Sequence, residues 1–266
     1  MSTIDPHIHM VSRTTDDYRA LALAGIRTLT EPAFWAGFDR GCAAGFRDYF
    51  EQLTVAEPAR AAKFGIRHYA WICLNPKEAE DLSLAREVLA IIPEFLDHPN
   101  VLGVGEIGLN KNSRNELRVL EEHIAIAAER SELILVHTPH LEDKHKGTRL
   151  IMDAIRNEPR IDPNRVIIDH GEEHTVPEIR DRGFWVGLTL YPDSKCSPAR
   201  AVDILEIHGT DRVWLNSAAD WGESDPLATV KAAQEMRMRG HPEAAVRKVF
   251  WENPVAFLSQ CPKFQA

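Results

Sequence analysis

Short apolar runs alternate with longer amphipathic stretches along the chain. Eight of these runs predict β-strands, because several are rich in Val and Ile and too short for helices. The eight runs are Ser2–Ile8, Ile26–Leu29, Ile66–Leu74, Val101–Ile107, Leu133–Val136, Val166–Ile168, Phe184–Leu190 and Val213–Leu215.

The stretches between these runs carry apolar residues at helical spacing. In Leu84–Leu96, for example, positions 84, 88, 89, 91, 92, 95 and 96 are apolar, a spacing typical of a helix with a hydrophobic face. The predicted helices are Leu84–Leu96, Glu116–Arg130, Arg149–Arg156, Ala199–Ile207 and Leu227–Met238, the last followed by Gly240 as a stop signal. Strands that alternate with helices predict a parallel sheet.

Eight strand–helix units predict that the sheet closes into a (β/α)8 TIM barrel. A barrel of this kind takes roughly 250 residues, so we expect one domain over residues 1–266. The alternative is an open, doubly wound sheet, which is expected to carry a glycine-rich phosphate loop after its first strand. The sequence after Ser2–Ile8 has no such loop, and this favours the barrel.

Residues 31–65 form an unusually long connection between the second and third strands. This segment is rich in aromatic residues, namely Phe34, Trp35, Phe38, Phe46, Tyr49 and Phe50. Two interpretations are open at this point. The segment is either a lid or pocket wall at the barrel mouth, or a satellite helix that caps the barrel.

The charge balance bears on the partners of the protein. The formal net charge is −9, whereas proteins that bind phosphate backbones usually carry a basic face. We therefore expect a small-molecule substrate rather than nucleic acid as the main partner. No apolar run approaches the roughly 18 residues of a membrane span, so no membrane association is expected.

The cysteines and the N-terminal residues bear on location. Cys42, Cys73, Cys196 and Cys261 are widely scattered and form no C-x-x-C pair, which predicts free, reduced thiols. The first residues lack the basic and apolar regions of a secretory signal. We therefore expect a cytoplasmic protein.

The first strand ends in a motif that suits a metal ion, Asp5-Pro6-His7-Ile8-His9. Side chains alternate between the two faces of a strand, so His7 and His9 point the same way and can share one cation. A lone histidine is more often a structural residue, but two at this spacing favour metal ligation.

Four further residues fall where predicted strands end: Glu106, His137, His170 and Asp220. Barrel enzymes place their catalytic groups at the C-terminal ends of the strands. Glu106 lies within an apolar run, where a carboxylate is costly to bury unless it is paired or binds a metal. Each residue by itself is explained by strand capping or by a supporting hydrogen bond. Their joint occurrence at strand ends predicts a metal site.

The sequence resembles the amidohydrolase superfamily and, within it, the TatD-like hydrolases. Asp5-Pro6-His7-Ile8-His9 is similar to the opening motif of that family, and Gly105-Glu106-Ile107-Gly108-Leu109 is close to its fourth-strand motif. Val136-His137, Asp169-His170 and the segment from Asn253-Pro254 to Phe257-Leu258 match in order. The resemblance implies that His7 and His9 bind one metal and that Glu106 bridges two. It also implies that His137 and His170 bind the second metal, and that Asp220 binds the first and acts as a base.

The chain departs from the TatD-like pattern at two places. TatD-like nucleases usually carry Glu-Thr-Asp after the last strand, whereas Asp220 lies about two residues later than that pattern expects. After His170 the family often shows Cys-Phe-Ser-Gly, where this chain has Gly171-Glu172-Glu173-His174. The sequence therefore indicates a divergent branch with a rebuilt substrate pocket. Glu31, His140 and His174 are additional candidates for that pocket.

These features predict a metal-dependent hydrolase. One or two divalent cations would activate water against a small-molecule ester, phosphoester, amide or lactone. The mixture of His and carboxylate ligands favours Zn, with Mn, Fe or Ni as alternatives. Other functions remain open at this point: a TatD-type deoxyribonuclease, a metal-dependent lyase or isomerase, or a barrel that binds a ligand without turnover.

Overall fold

Eight parallel β-strands form the centre of the protein in a computed structural model that describes residues 3–140 and 142–265. Each predicted strand is present, although the first prediction began at Ser2, outside the described residues. The strands are β1 (Thr3–Asp5), β2 (Ile26–Pro32), β3 (Arg67–Ile72), β4 (Val101–Gly108), β5 (Leu133–His137), β6 (Val166–Ile168), β7 (Trp185–Thr189) and β8 (Val213–Asn216).

The sheet curves into a nearly closed barrel. Each strand pairs in parallel with the next, in the order β1 to β8. Backbone hydrogen bonds then join the segments that follow β8 and β1: Ala218 N donates to His7 O (2.8 Å) and His9 N donates to Ala219 O (2.9 Å). The (β/α)8 barrel predicted from the sequence is therefore confirmed, and the open-sheet alternative is wrong.

Helices follow the strands and cover the outside of the barrel. The predicted helices are all present, and some begin earlier than predicted because a capping residue lies upstream. For instance, Asp143 caps the sixth helix at its N-terminus by accepting from Lys146 N (3.0 Å). The helices are α1 (Thr15–Leu23), α2 (Ala43–Glu51), α3 (Glu57–Ala62), α4 (Leu82–Leu96), α5 (Arg114–Arg130), α6 (Lys144–Arg156), α7 (Val176–Asp181), α8 (Pro198–His208), α9 (Ala228–Met238), α10 (Glu243–Arg247) and α11 (Asn253–Leu258). Within the described residues, no helix is both long enough and apolar enough to span a membrane.

Apolar side chains fill the N-terminal half of the barrel interior. Leu133 and Leu135 of β5 pack there in one cluster with Trp71, Trp214 and Phe257. The alternation of side chains along β5 then places His137 on the same face as Leu135, one step nearer the C-terminal end. The sequence pattern that builds the core thus also presents a histidine at the barrel mouth.

The long connection between β2 and β3 combines both structures expected for it. Helices α2 and α3 cover the outside of the barrel, and Phe46 and Phe50 of α2 are buried in the main core. The residues before α2 form part of the barrel mouth, where Phe34 and Trp35 line a cavity. The segment is therefore a pocket wall followed by a satellite helical unit.

Candidate metal centre

A cavity of about 210 Å³ opens at the C-terminal end of the barrel. All six residues predicted as metal ligands line it: His7, His9, Glu106, His137, His170 and Asp220. The remaining lining residues are Phe34, Trp35, Asn75, Lys77, His140, Tyr191, Ser194, Lys195, Ala218 and Trp221. The barrel topology therefore gathers residues that are far apart in sequence.

Two groups of possible ligands share the Glu106 carboxylate. In the first group, His7 Nε2 lies 3.0 Å from His9 Nε2 and 3.8 Å from Glu106 Oε2. In the second, Glu106 Oε2 lies 3.1 Å from His137 Nδ1 and 3.4 Å from His170 Nε2. A single carboxylate thus stands between two pairs of imidazoles.

The chemistry of these atoms fits a divalent metal. Two ligand atoms that each lie about 2.1 Å from one tetrahedral zinc ion are roughly 3.4 Å apart, close to the separations in both groups. Burial lowers the pKa of His9, His137 and His170, since a charged imidazole loses its hydration there. Neutral imidazoles are the form that binds metals. His137 faces this group through Nδ1, and its buried Nε2 has no hydrogen-bond partner among the described residues.

Asp169 orients His7, a role that the sequence analysis did not predict. Its Oδ2 lies 2.5 Å from His7 Nδ1, and Asn216 Nδ2 donates to both carboxylate oxygens (2.8 and 3.0 Å). Burial opposes ionisation of Asp169, but the neighbouring His170 and His7 hold the pKa of this carboxyl below its usual range. A charged Asp169 fixes the proton of His7 on Nδ1 and leaves Nε2 free for a metal. The signal in the sequence was a carboxylate at the end of β6, directly before His170.

Aromatic and cationic side chains form the walls of the cavity. Phe34 stacks on the His9 ring with 3.9 Å between centroids, and Trp35 packs edge-on against Trp221 at 5.9 Å. Lys77 and Lys195 enter from loops that follow β3 and β7. These lysines could not be predicted as site residues from the sequence, because their loops carry no metal-ligand motif.

The comparison with known families shows to which family this sequence belongs. The family described as TatD related DNase matches residues 4–258 of the chain. The chain belongs to the TatD family. A metal-dependent hydrolase of Methanocaldococcus jannaschii, itself uncharacterised, is 30% identical over 259 residues, which cover 96% of this chain and 98% of the relative. The TatD-like, metal-dependent hydrolase predicted from the sequence is therefore confirmed.

Solved structures share the barrel of this TatD-family protein. The crystal structure of a TatD-like protein from Archaeoglobus fulgidus superimposes with a TM-score of 0.79 and 23% sequence identity, covering 96% of this chain and 99% of the other. A variant of an organophosphorus hydrolase from Deinococcus radiodurans superimposes with a TM-score of 0.68 and 14% identity, covering 96% and 92%. At these identities the similarity concerns the fold.

Asp220 lies on the cavity wall, and it is not a member of either three-residue ligand group. Its Oδ1 accepts hydrogen bonds from Tyr191 Oη (2.9 Å) and Gly222 N (2.7 Å). Ala218, two residues earlier, contacts the segment that follows β1 through the bond from its N to His7 O. The carboxylate of Asp220 is thus held by Tyr191 and Gly222 at the edge of the cavity and lies outside both groups.

Two of the additional candidates lie elsewhere. Glu31 is buried beside the barrel mouth, where Oε1 accepts from Val11 N (2.8 Å) and Oε2 pairs with His68 Nε2 (2.7 Å). It anchors the turn that follows His9 and does not line the cavity. His174 stacks on His145 at 5.1 Å and is half exposed, whereas His140 does line the cavity.

A third group of possible ligands lies outside the cavity, at Glu172, Glu173 and His174. Arg200 Nη2 lies 2.7 Å from Glu173 Oε2, and Lys144 Nζ lies 3.7 Å from Glu172 Oε1. These cations already balance the carboxylates, so ion pairing accounts for this surface group. The two buried groups around Glu106 remain the candidate metal centre.

Proposed function

We propose that this TatD-family protein hydrolyses a small-molecule ester, phosphoester, amide or lactone. The observation that carries the proposal is the pair of His groups that share Glu106 at the floor of an aromatic-walled cavity. Sites for small molecules are typically concave, with apolar walls and a few placed polar groups. The size of the cavity, about 210 Å³, suits part of a small substrate better than a duplex.

We propose that the site holds one or two divalent cations, with zinc as the first choice and Mn, Fe or Ni as alternatives. His7 and His9 would hold one, His137 and His170 the other, and Glu106 would contact both. Two such cations are supported by the position of Glu106, which belongs to both groups of possible ligands and lies closer to His137 and His170 than to His7. A divalent cation at this site supplies water activation and polarises the scissile group.

The protein's own residues would orient the ligands and move a proton. Asp169 holds His7 in one tautomer, and Asn75 Nδ2 donates to Glu106 Oε1 (3.2 Å), which fixes the carboxylate. Asp220 is proposed as the base that takes the proton from water, with Tyr191 holding its carboxylate in place. Phe34, Trp35 and Trp221 would restrict the access of bulk water.

The test is metal analysis followed by an activity screen in the metal found. The screen covers neutral esters, lactones, amides and phosphoesters, each with and without a chelator. We expect chelator-sensitive turnover of at least one class. The variants His7→Ala/His9→Ala and His137→Ala/His170→Ala are each expected to lose one equivalent of metal. Unchanged metal content in either variant would refute its assignment, and no turnover of any class would refute the function.

A nuclease is the second candidate, and the family description as TatD related DNase favours it. The lysines on the cavity wall suit a phosphate of either substrate. End-labelled single- and double-stranded DNA, incubated with the metal-loaded protein at low concentration, separates the two proposals. Robust DNA cleavage without turnover of small esters or phosphoesters would replace the first proposal by the second.

We also propose a cytoplasmic location. The four cysteines support it, since all are free thiols in the structure and three of them are buried. Imaging of a fluorescent fusion in the native host tests this proposal, and export of the fusion would refute it.

A further inference from the structure

Two lysines on opposite sides of the barrel reach into the cavity. Lys77 follows β3 and Lys195 follows β7, four strands apart in the order of eight. Lys77 Nζ lies 4.7 Å from the centroid of the Trp35 ring, and Lys195 Nζ lies 4.9 Å from that of Tyr191. In the part of the chain that the structure describes, neither ammonium group forms an ion pair or a hydrogen bond. Both are therefore held over aromatic rings with their donors unused.

Other cations around the barrel mouth do have partners. Arg40 pairs with Glu78 (2.7 Å), and Arg200 pairs with Glu173 (2.7 Å). Lys144 donates to Pro139 O (3.0 Å). Lys77 and Lys195 thus differ from these other cations at the same end of the barrel, because their ammonium groups have no partner among the described residues.

A third polar group of the cavity also lacks a partner. Among the described residues, the buried Nδ1 of His140 accepts and donates no hydrogen bond. Burial, together with the charges of Lys195 and other neighbours, lowers the pKa of His140 to about 4, so its imidazole is neutral at neutral pH. A neutral imidazole beside two free ammonium groups is an additional hydrogen-bonding group for a bound ligand.

Among the described residues, no carboxylate of the cavity forms an ion pair with either lysine, although Glu106 and Asp220 attract Lys195 from a distance. Glu106 is surrounded by imidazoles, and Asp220 accepts its bonds from Tyr191 and Gly222. A divalent cation at the ligand groups would add further positive charge below the ammonium groups. An anionic ligand would balance such a site, because the two half-buried ammonium groups have no partner in a partly enclosed cavity.

We propose that the substrate is a small anion and that Lys77 and Lys195 bind its charged group, a carboxylate or a phosphate. This inference rests on the proposed function and specifies its substrate class. The two lysines approach the same space from opposite sides of the barrel, so both can reach one ligand. Because both are positively charged, they favour a negatively charged ligand over a neutral one. The aromatic residues beside them, Trp35 and Tyr191, hold the ammonium groups in place without neutralising them.

The first experiment measures binding without turnover. Calorimetric titrations of the metal-loaded protein with inorganic phosphate and with succinate are compared with those of Lys77→Met and Lys195→Met. Each substitution removes one charge-assisted bond, so we expect roughly tenfold to a hundredfold weaker binding of at least one anion. Direct binding of the anion to the metal is common to all these proteins and cancels in the comparison.

Two further variants serve as controls. Lys146→Met removes the same charge from an exposed position on α6 and is expected to leave anion binding unchanged. Lys195→Arg keeps the charge and is expected to bind the anions more tightly than Lys195→Met, which separates the role of charge from an effect on folding. Equal affinities in wild type, Lys77→Met and Lys195→Met for both anions would overturn the proposal.

The second experiment measures specificity. Turnover of a monoester of succinic acid is compared with that of a neutral ester of the same length. The ratio of the two kcat/KM values is expected to fall at least tenfold in Lys195→Met and to stay constant in Lys146→Met. An unchanged ratio in Lys195→Met would overturn the lysine proposal while the hydrolase stands. If no ester is turned over, the calorimetric comparison still decides the role of the lysines, and the proposed function fails only if the wider screen also finds no turnover of any class.

Discussion

Asp220 illustrates how much of a site depends on the placement of a single side chain. We expect Asp220→Asn to lower kcat roughly 10²–10⁴-fold, the usual contribution of a general base, on any substrate that the screen identifies. The amide keeps an oxygen that accepts from Tyr191 and Gly222, so the fold and most of the bound metal are expected to remain. Steady-state kinetics and metal analysis of the variant measure both.

Two neighbouring carboxylates provide the controls for this prediction. Asp225 Oδ1 accepts from Leu227 N (2.9 Å) and its Oδ2 pairs with Lys231 (2.5 Å), so it is engaged at the start of α9. Glu223 is exposed. Near-normal turnover is expected for Asp225→Asn and Glu223→Gln. Collapse in one of them, with normal turnover in Asp220→Asn, would move the base to that residue.

His123 links stability to pH at the residue scale. It is buried on α5, where Nδ1 donates to Val119 O (2.8 Å) and Nε2 accepts from Leu74 N (3.1 Å). Burial lowers its pKa from 6.5 to about 4. The unfolded chain therefore binds the proton more readily than the folded protein. The stabilisation is complete above pH 6.5 and is lost as the pH falls towards 4.

We expect the free energy of unfolding to fall more steeply with decreasing pH in the wild type than in His123→Gln. The glutamine retains an acceptor for Leu74 N but does not titrate. A shift of this size corresponds to about 3 kcal/mol of extra loss between pH 6.5 and 4. Urea unfolding of both proteins at several pH values measures the two slopes. Titration of the candidate metal site is common to both proteins and cancels in the difference between the slopes. Parallel slopes would contradict the prediction.

At the scale of elements, the close approach of β4 to β5 explains why glycine occupies positions 103 and 105, near Glu106. A Cβ atom on Gly103 would overlap Leu133 O and lie 2.9 Å from the Leu133 carbonyl carbon. A Cβ on Gly105 would lie 2.8 Å from Leu135 Cβ. The close approach of β4 to β5 brings Glu106 within reach of His137, and only glycine permits it.

We therefore expect Gly103→Ala to lower the free energy of unfolding by about 1–3 kcal/mol, because the backbone of β5 must move to admit the methyl group. Gly41→Ala is the matched control, since no atom lies within 4 Å of its added Cβ and its φ is not in the left-handed region. Denaturant unfolding measures both. A Gly103→Ala variant as stable as Gly41→Ala would contradict the prediction, because β4 and β5 would then admit the methyl group without a loss in the free energy of unfolding.

At the scale of the whole molecule, the proposed metal ligands come from strands on several sides of the barrel. His7 follows β1, Glu106 lies in β4, His137 ends β5 and His170 follows β6. A cation that joins them links distant segments only in the folded state. Ligands that bind only the folded state stabilise it by mass action, about 2.7 kcal/mol at a concentration 100 times the Kd.

We expect one cooperative thermal transition, in keeping with a single domain over residues 1–266, and a Tm that falls by roughly 5–10 °C when the metal is removed. Calorimetry before chelation, after chelation and after metal is restored measures the shift. The variant His137→Ala/His170→Ala is expected to lose much of this metal-dependent shift in Tm. The variant His208→Ala, at the end of α8 and outside the cavity, is expected to retain the shift. Two separate transitions would contradict the single domain, and a Tm insensitive to metal would contradict the metal centre.

Local sequence determined the elements of this protein and the identity of many residues at its site. Short apolar runs located all eight strands, and helical periodicity located the main helices, because both are set by neighbours along the chain. The motif Asp5-Pro6-His7-Ile8-His9 and the strand-end positions of Glu106, His137 and His170 selected the residues that the barrel gathers. The TatD family followed from the order of these motifs.

Only the tertiary structure decided which side chains face each other across the barrel. Asp169 contacts His7 although the two residues are 162 positions apart in the sequence, so nothing local to either residue predicts the contact. Glu31 also ends a strand, yet a bond to Val11 N and a pair with His68 take it out of the cavity. Lys77 and Lys195 lie in loops without a motif, and they share the cavity only because the sheet curves. The sequence specifies strands and their order through local pattern, whereas distances across the mouth depend on barrel closure and on the path of each loop.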